Sequence, residues 1–98
     1  MKKISESKIE TKVVDYCRKR GLYCRKFSSP AHRGVPDRVI GGFGKVLFLE
    51  LKAPGKEPTA LQRHELAEIA AHGLNSGWAS SFESARGQID SVFFPSLI

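Results

Sequence analysis

Among its 98 residues the chain has only two cysteines, one methionine and one tryptophan, and no apolar run approaches the length of a membrane span. Cys17 and Cys24 show neither paired CxxC spacing nor a histidine cluster. That excludes a disulfide framework or a zinc site as the organising element and leaves two thiols that read as small buried hydrophobes. The N-terminal stretch MKKISESKIE has two lysines but no hydrophobic segment, so a signal peptide is not expected. Internal repeats are lacking as well. The length suits one domain over residues 1–98 with a single modest core, and no separate cofactor domain.

Negative charge is also scarce. Ten Asp and Glu stand against 16 Lys and Arg, leaving a net charge of +6, and much of the excess falls in residues 12–45. Such a balance suits a polyanion, although a solvated basic surface kept for solubility has the same composition. A hydrophobic fraction of 41% with 27% charged residues excludes a disordered or fibrous chain.

What is present alternates between helical and strand periods. Ser5 or Ser7 can cap a first helix carrying Ile9, Val13, Tyr16 and Cys17 on one stripe, with Gly21 as its stop. The segment LYCRKF reads as a strand, SSPAHRGVP as a basic loop, and Arg38–Ile40 with Lys45–Lys52 as a hairpin turning through GGFG. From Thr59 to His72 the pattern is helical with Leu66, Ile69 and Ala70 buried and Gly73 as stop. GWASSF is a short last strand, and ESARGQIDSVFF a final helix weakened by Gly87. The order α-β-β-β-α-β-α has too few strands for a closed barrel and predicts an α/β fold, an open mixed sheet of about four strands with helices on both faces.

The hairpin poses a chemical question. KVLFLELK is apolar on both faces, as a central strand covered on each side would be, yet it contains Glu50 and Lys52. A buried carboxylate needs a partner or a cation. Residues two apart share a face, so Glu50 and Lys52 stand with Val46 and Phe48, opposite Leu47, Leu49 and Leu51. With Gly42-Phe43 as the turn, Asp37 falls opposite Phe48 and diagonal to Glu50, on the same face. Two neighbouring carboxylates repel unless a divalent cation lies between them, and all-oxygen ligation suits Mg²⁺ or Mn²⁺. A lysine beside that cation can orient water and offset charge on a phosphoryl oxygen, which is phosphodiester hydrolysis chemistry. Taken alone, the pattern favours an exposed salt bridge between Glu50 and Lys52 at a strand end, with Asp37 shaping the turn.

GVPD, twelve intervening residues and then ELK at the end of an apolar strand resemble the PD-(D/E)xK nuclease core. More closely, RGVPDRVIGGFGKVLFLELKAPGKEPTALQRHELAEIAAHG resembles the VRR-NUC family, whose small stand-alone members occur in phages and bacteria. The resemblance spans about residues 5–82 and implies a restriction-endonuclease-like sheet. It implies that Asp37 and Glu50 bind the metal, that the backbone carbonyl of Leu51 adds a ligand, and that Lys52 is the catalytic lysine. It also implies an acidic residue on the first helix and a glutamine after the ExK strand, positions matched by Glu10 and Gln62. Glu10 either leans into the site, as catalytic and metal-binding residue, or pairs with a nearby lysine at the surface. Gln62 either closes a capping box with Thr59 or points inward along the stripe of Leu66 and Ile69. DNA contacts are expected from Arg25, Lys26, His32, Arg33, Arg38, Lys45 and Arg63, while His64 and His72 read as polar surface.

The expectation is a metal-dependent endonuclease acting on DNA, on branched or four-way-junction forms as the resemblance implies, in the cytoplasm of a bacterium or phage-infected host cell. A noncatalytic DNA-binding accessory protein on the same fold, and a small interaction module with an incidental basic face, are the other classes in view. A homodimer is expected, since symmetrical junction cutting needs two sites. Phe93, Phe94, Leu97 and Ile98 offer its contact, unless that tail folds back over its own sheet.

Overall fold

A computed structural model describes residues 5–97. Its first helix, α1 (Glu6–Lys19), begins at Ser5, whose hydroxyl accepts from the Lys8 amide at 3.2 Å. It ends at Arg20, followed by Gly21 at φ 73°. Spacing of four brings Ile9, Val13 and Cys17 onto the buried side. Three antiparallel strands come next in spatial order, β1 (Tyr23–Lys26), β2 (Arg38–Gly42) and β3 (Lys45–Leu51). Helix α2 (Ala60–Ala71) then crosses over to β4 (Asn75–Ala79), which lies parallel to β3 at the sheet edge. Helix α3 (Phe82–Phe93) and a single 3₁₀ turn at Pro95–Leu97 complete the described chain. The order is the predicted α-β-β-β-α-β-α, an open mixed sheet of four strands.

Helices α1 and α3 cover one face. Leu47, Leu49 and Leu51 of β3 and Ile40 of β2 meet Ile9, Val13 and Cys17 of α1 and Ala85, Ile89 and Phe93 of α3 in one core. The other face is covered differently. There α2 packs at the β4 edge, where the Ser76 hydroxyl donates to the Leu66 carbonyl at 2.8 Å, and Val46 and Phe48 remain half-buried. The expectation of a strand covered fully on both sides therefore holds for one face only.

Four local expectations are corrected. The hairpin turns at Phe43-Gly44, both with positive φ (54° and 74°), as a type I′ turn requires, and not at Gly42-Phe43. The last strand starts at Asn75 and stops at Ala79, because Ser81 caps α3 by accepting from the Ser84 amide at 3.1 Å. Ala70 is exposed, leaving Leu66 and Ile69 as the buried stripe of α2. Phe93 lies in the core of its own chain, and Phe94 packs beside it under the Arg20 guanidinium, 4.2 Å above its ring. These two phenylalanines are thus folded back; the side chain of Leu97 and all of Ile98 fall outside the described residues. Among the described residues no helix is long and apolar enough to cross a membrane.

Candidate active site

The turn correction moves the strand register but keeps its parity. Ile40 now pairs with Leu47 and Arg38 with Leu49. Continuing by one residue sets Asp37 opposite Glu50 instead of diagonal to it, on the half-covered face. Buried Pro36 and Gly34, at φ 85° with Leu61 atoms only 3.0–3.2 Å from where a Cβ would stand, lead the chain into this position. The Phe27 amide then donates to the Asp37 carbonyl at 2.8 Å, and the Leu51 amide to Asp37 Oδ2 at 2.8 Å. The Leu51 side chain is in the core on the opposite face, so only its backbone borders the site.

Glu50 is 3% exposed, the one charged residue in the buried set among the described residues. Burial, and next the Asp37 charge, push its carboxyl up to about 7, with the Lys52 ammonium pulling the other way. Lys52 Nζ is 3.8 Å from Glu50 Oε2 and donates to Gln62 Oε1 at 3.1 Å. Gln62 satisfies both readings at once. Its Oε1 also accepts from the Thr59 amide at 2.9 Å while its own amide donates to Thr59 Oγ1 at 3.2 Å, so the capping box holds the oxygen that Lys52 meets.

Glu10 is placed elsewhere. Its Oε2 accepts from Arg38 Nε at 2.8 Å and from Lys26 Nζ at 3.4 Å. Arg38 projects on the α1 side of the sheet with Ile40, the side away from Asp37 and Glu50. The Glu6 charge, one turn earlier on α1, is a lesser influence that also raises the Glu50 pKa, after burial and Asp37. Sequence reasoning missed it because an acid in the first helical turn is ordinary helix chemistry and carries no separate signal. Among the described residues no three His, Cys, Asp or Glu side chains gather closely enough to hold a metal ion, so the hard oxygen donors on this face are the Asp37–Glu50 pair.

The expected DNA contacts divide by their present partners. Arg38 and Lys26 are engaged by Glu10, Lys45 Nζ donates to the Val92 carbonyl at 3.0 Å, and Arg63 pairs with Glu57 while lying 5.8 Å from the Trp78 ring centre. His32 bonds Glu65 at 2.7 Å, which ties the basic loop to α2. Arg33 is exposed, and Arg25, exposed as well, donates to the Cys24 carbonyl at 2.9 Å. Cys17 and Cys24 are free thiols, the first in the core and the second packed against it.

No family model matches the chain. A stretch of 74 residues, 74% of this chain, is 46% identical to "Putative nuclease p44" of Acyrthosiphon pisum secondary endosymbiont phage 1 and spans 80% of that protein. Two solved structures share the fold, a "VRR_NUC domain" and a "VRR_NUC domain protein". The first aligns with a TM-score of 0.79 at 23% identity over 87% of this chain and 94% of its own. The second aligns with a TM-score of 0.74 at 19% identity over 93% and 89%. The fold is thus that of a nuclease domain, an open mixed sheet with the charged pair at the end of its hairpin. The chain belongs to the VRR-NUC family of nucleases.

Proposed function

We propose that this nuclease is a metal-dependent endonuclease that hydrolyses DNA phosphodiester bonds, with Asp37 and Glu50 holding Mg²⁺ or Mn²⁺. The observation that carries the reading is Glu50 itself. A carboxylate 3% exposed beside a second carboxylate, with its pKa raised to about 7, is a charge awaiting compensation, and a hard divalent cation supplies it. The Leu51 carbonyl, on the strand between Glu50 and Lys52, is the further ligand the family resemblance implies. Bound there, the cation supplies Lewis-acid polarisation of the scissile phosphate.

The chain's own residues do the rest. Asp37, held through Oδ2 by the Leu51 amide, has a second carboxylate oxygen to offer the cation. Lys52, positioned between Glu50 and Gln62, offers its ammonium to a phosphoryl oxygen as charge grows there; the water oxygen bonds phosphorus as the P–O bond to one sugar breaks, the water proton passing to solvent and the departing sugar oxygen taking up a proton to leave as a hydroxyl. The exposed Arg25 and Arg33 supply phosphate contacts. A preference for branched or four-way-junction DNA is supported by the family resemblance, and action in the cytoplasm of a bacterium or phage-infected cell by that resemblance and the phage source of the relative. Symmetrical cutting of a junction by this single site requires two copies of the chain.

The test is incubation with duplex, flap and four-way-junction DNA, with Mg²⁺ or Mn²⁺ and with chelator. Cleavage is expected only with the metals and is expected to fall by more than about 100-fold in Asp37→Asn and Glu50→Gln, with DNA binding retained. Metal-independent cleavage would overturn the reading. Binding without cleavage by the wild type would favour the accessory-protein alternative.

A further inference from the structure

The face that carries Asp37 and Glu50 continues past them onto a part of the sheet that no helix covers. Its occupied half is the β4 edge, where α2 packs, while at the other edge β1 presents Tyr23, 57% exposed. Cross-strand pairing sets Tyr23 beside Gly41 of β2 and Gly41 beside Val46 of β3. Tyr23, Arg25 and Phe27 lie on the same face as Val39 and Phe48, and Phe27 meets Phe48 at a ring-centre distance of 5.3 Å.

Gly41 is the informative position. It sits inside β2, where a side chain would add packing, and a Cβ there would make only ordinary contacts, 3.7 Å to the Lys45 carbonyl oxygen and 3.9 Å to Tyr23 Cβ. Nothing in the protein forbids a side chain. Its absence leaves a flat floor between the Tyr23 ring and Val46, the kind of interior strand glycine that lets a ligand approach the backbone closely. Arg25 Cζ lies 4.3 Å from the Tyr23 ring centre, so the aromatic surface carries a guanidinium on a protein of net charge +6.

We propose that this open face is a stacking platform for an unpaired nucleotide of the DNA, with Tyr23 taking the base and Arg25 its phosphate. The inference rests on the nuclease reading above and names a feature of its substrate. A sheet face that joins an exposed aromatic ring to positive charge suits single-stranded nucleic acid, because every base has a π-face to stack and every nucleotide an anion. A base inside a duplex shows only its edges, so the ring selects one that is unpaired. Tyr23 is four residues along β1 from Phe27, whose amide bonds the Asp37 carbonyl. Four residues at strand spacing put Tyr23 about 13 Å from Phe27 along β1, and the carboxylate pair lies across the sheet beyond it, so the ring meets the DNA away from the scissile bond.

The experiment uses the full chain carrying Asp37→Asn, in chelator, so that binding is read without cleavage. The probe is a flap DNA with 2-aminopurine at successive unpaired positions, compared with a blunt duplex of the same length. Quenching of the 2-aminopurine is expected at a defined unpaired position and not along the rest of the flap. Tyr23→Ala should weaken flap binding about 10-fold or more and leave duplex binding within about 2-fold, while Tyr23→Phe should behave as Tyr23. Equal losses on flap and duplex, an unquenched probe, or wild-type-like binding by Tyr23→Ala would each overturn the proposal. A Tyr23→Ala protein whose sedimentation shifts from a larger species to a smaller one would instead assign this face to a second copy of the chain. Failure of the wild type to cleave any DNA with Mg²⁺ or Mn²⁺ would defeat the nuclease reading alone, since the quenching is measured without turnover.

Discussion

The Leu51 amide donates to Asp37 Oδ2 at 2.8 Å, and this one bond sets the Asp37 carboxylate across from Glu50 at the end of the hairpin. It also separates two roles of Asp37. Asp37→Asn keeps an acceptor oxygen and removes the charge that repels Glu50, whereas Asp37→Ala leaves the amide without its partner. Urea denaturation at pH 8 without metal should rank Asn above Ala by about 1–2 kcal/mol. Equal stability would show that the bond adds nothing to the fold.

Lys52 and Gln62 act as a unit in this geometry. Lys52→Ala should slow cleavage by about 100-fold while preserving cation binding in calorimetry, since an ammonium cannot ligate a metal. Gln62→Ala removes the acceptor shared by Lys52 and the Thr59 amide. It should cost about 1 kcal/mol of stability through the lost cap and slow cleavage through Lys52. The rate effect of Gln62→Ala should therefore shrink in a Lys52→Ala background, and a fully additive double-mutant cycle would separate the two residues.

Glu50 makes the metal-free protein sensitive to pH in a defined direction. Its carboxyl titrates at about 7 in the fold against an ordinary 4.5, so the folded state holds this proton more tightly than the unfolded chain. The stability so gained is fully present below pH 4.5 and is lost as pH rises through 7, a change of about 3 kcal/mol. Melting temperature in chelator should fall between pH 5 and pH 8 by about 10 °C or more, with Glu50→Gln flattening the trend and Mg²⁺ or Mn²⁺ restoring stability at the alkaline end. Glu6→Gln should move the midpoint downward. Glu10→Gln should leave the midpoint in place and lower stability throughout, because it strips Arg38 of its partner. A flat profile for the wild type would show that Glu50 is not perturbed.

How much of this was legible beforehand depended on range. Helix caps, the apolar stripe of α1 and the alternation in β3 are local, and each was readable from Ser5, Gly21 and the leucines at 47, 49 and 51. The shared face of Asp37 and Glu50 was readable too, despite the wrong turn position. Sliding a two-residue turn by one residue changes the pairing by two, and side chains in a strand repeat with period two. The direct opposition of the two carboxylates was not readable, because it depended on Phe43 accepting a positive φ that a glycine-first reading assigns to Gly42.

The order of elements, the family, and which residues could carry chemistry rest on residue type, spacing and periodicity, and these are properties of the chain before it folds. Packing, by contrast, gave Glu10 its partner: whether it would lean into the site or pair at the surface had no periodic answer, and the seating of α1 on the leucine face brings it to Arg38. It likewise joined the two readings of Gln62, whose cap and whose contact with Lys52 use the same oxygen. It turned Phe93 inward, where the far end of α3 joins the core with Ile40 and Leu47. And it left Tyr23 and Gly41 side by side on an uncovered face, a consequence of where α2 stops that nothing local to either residue encodes.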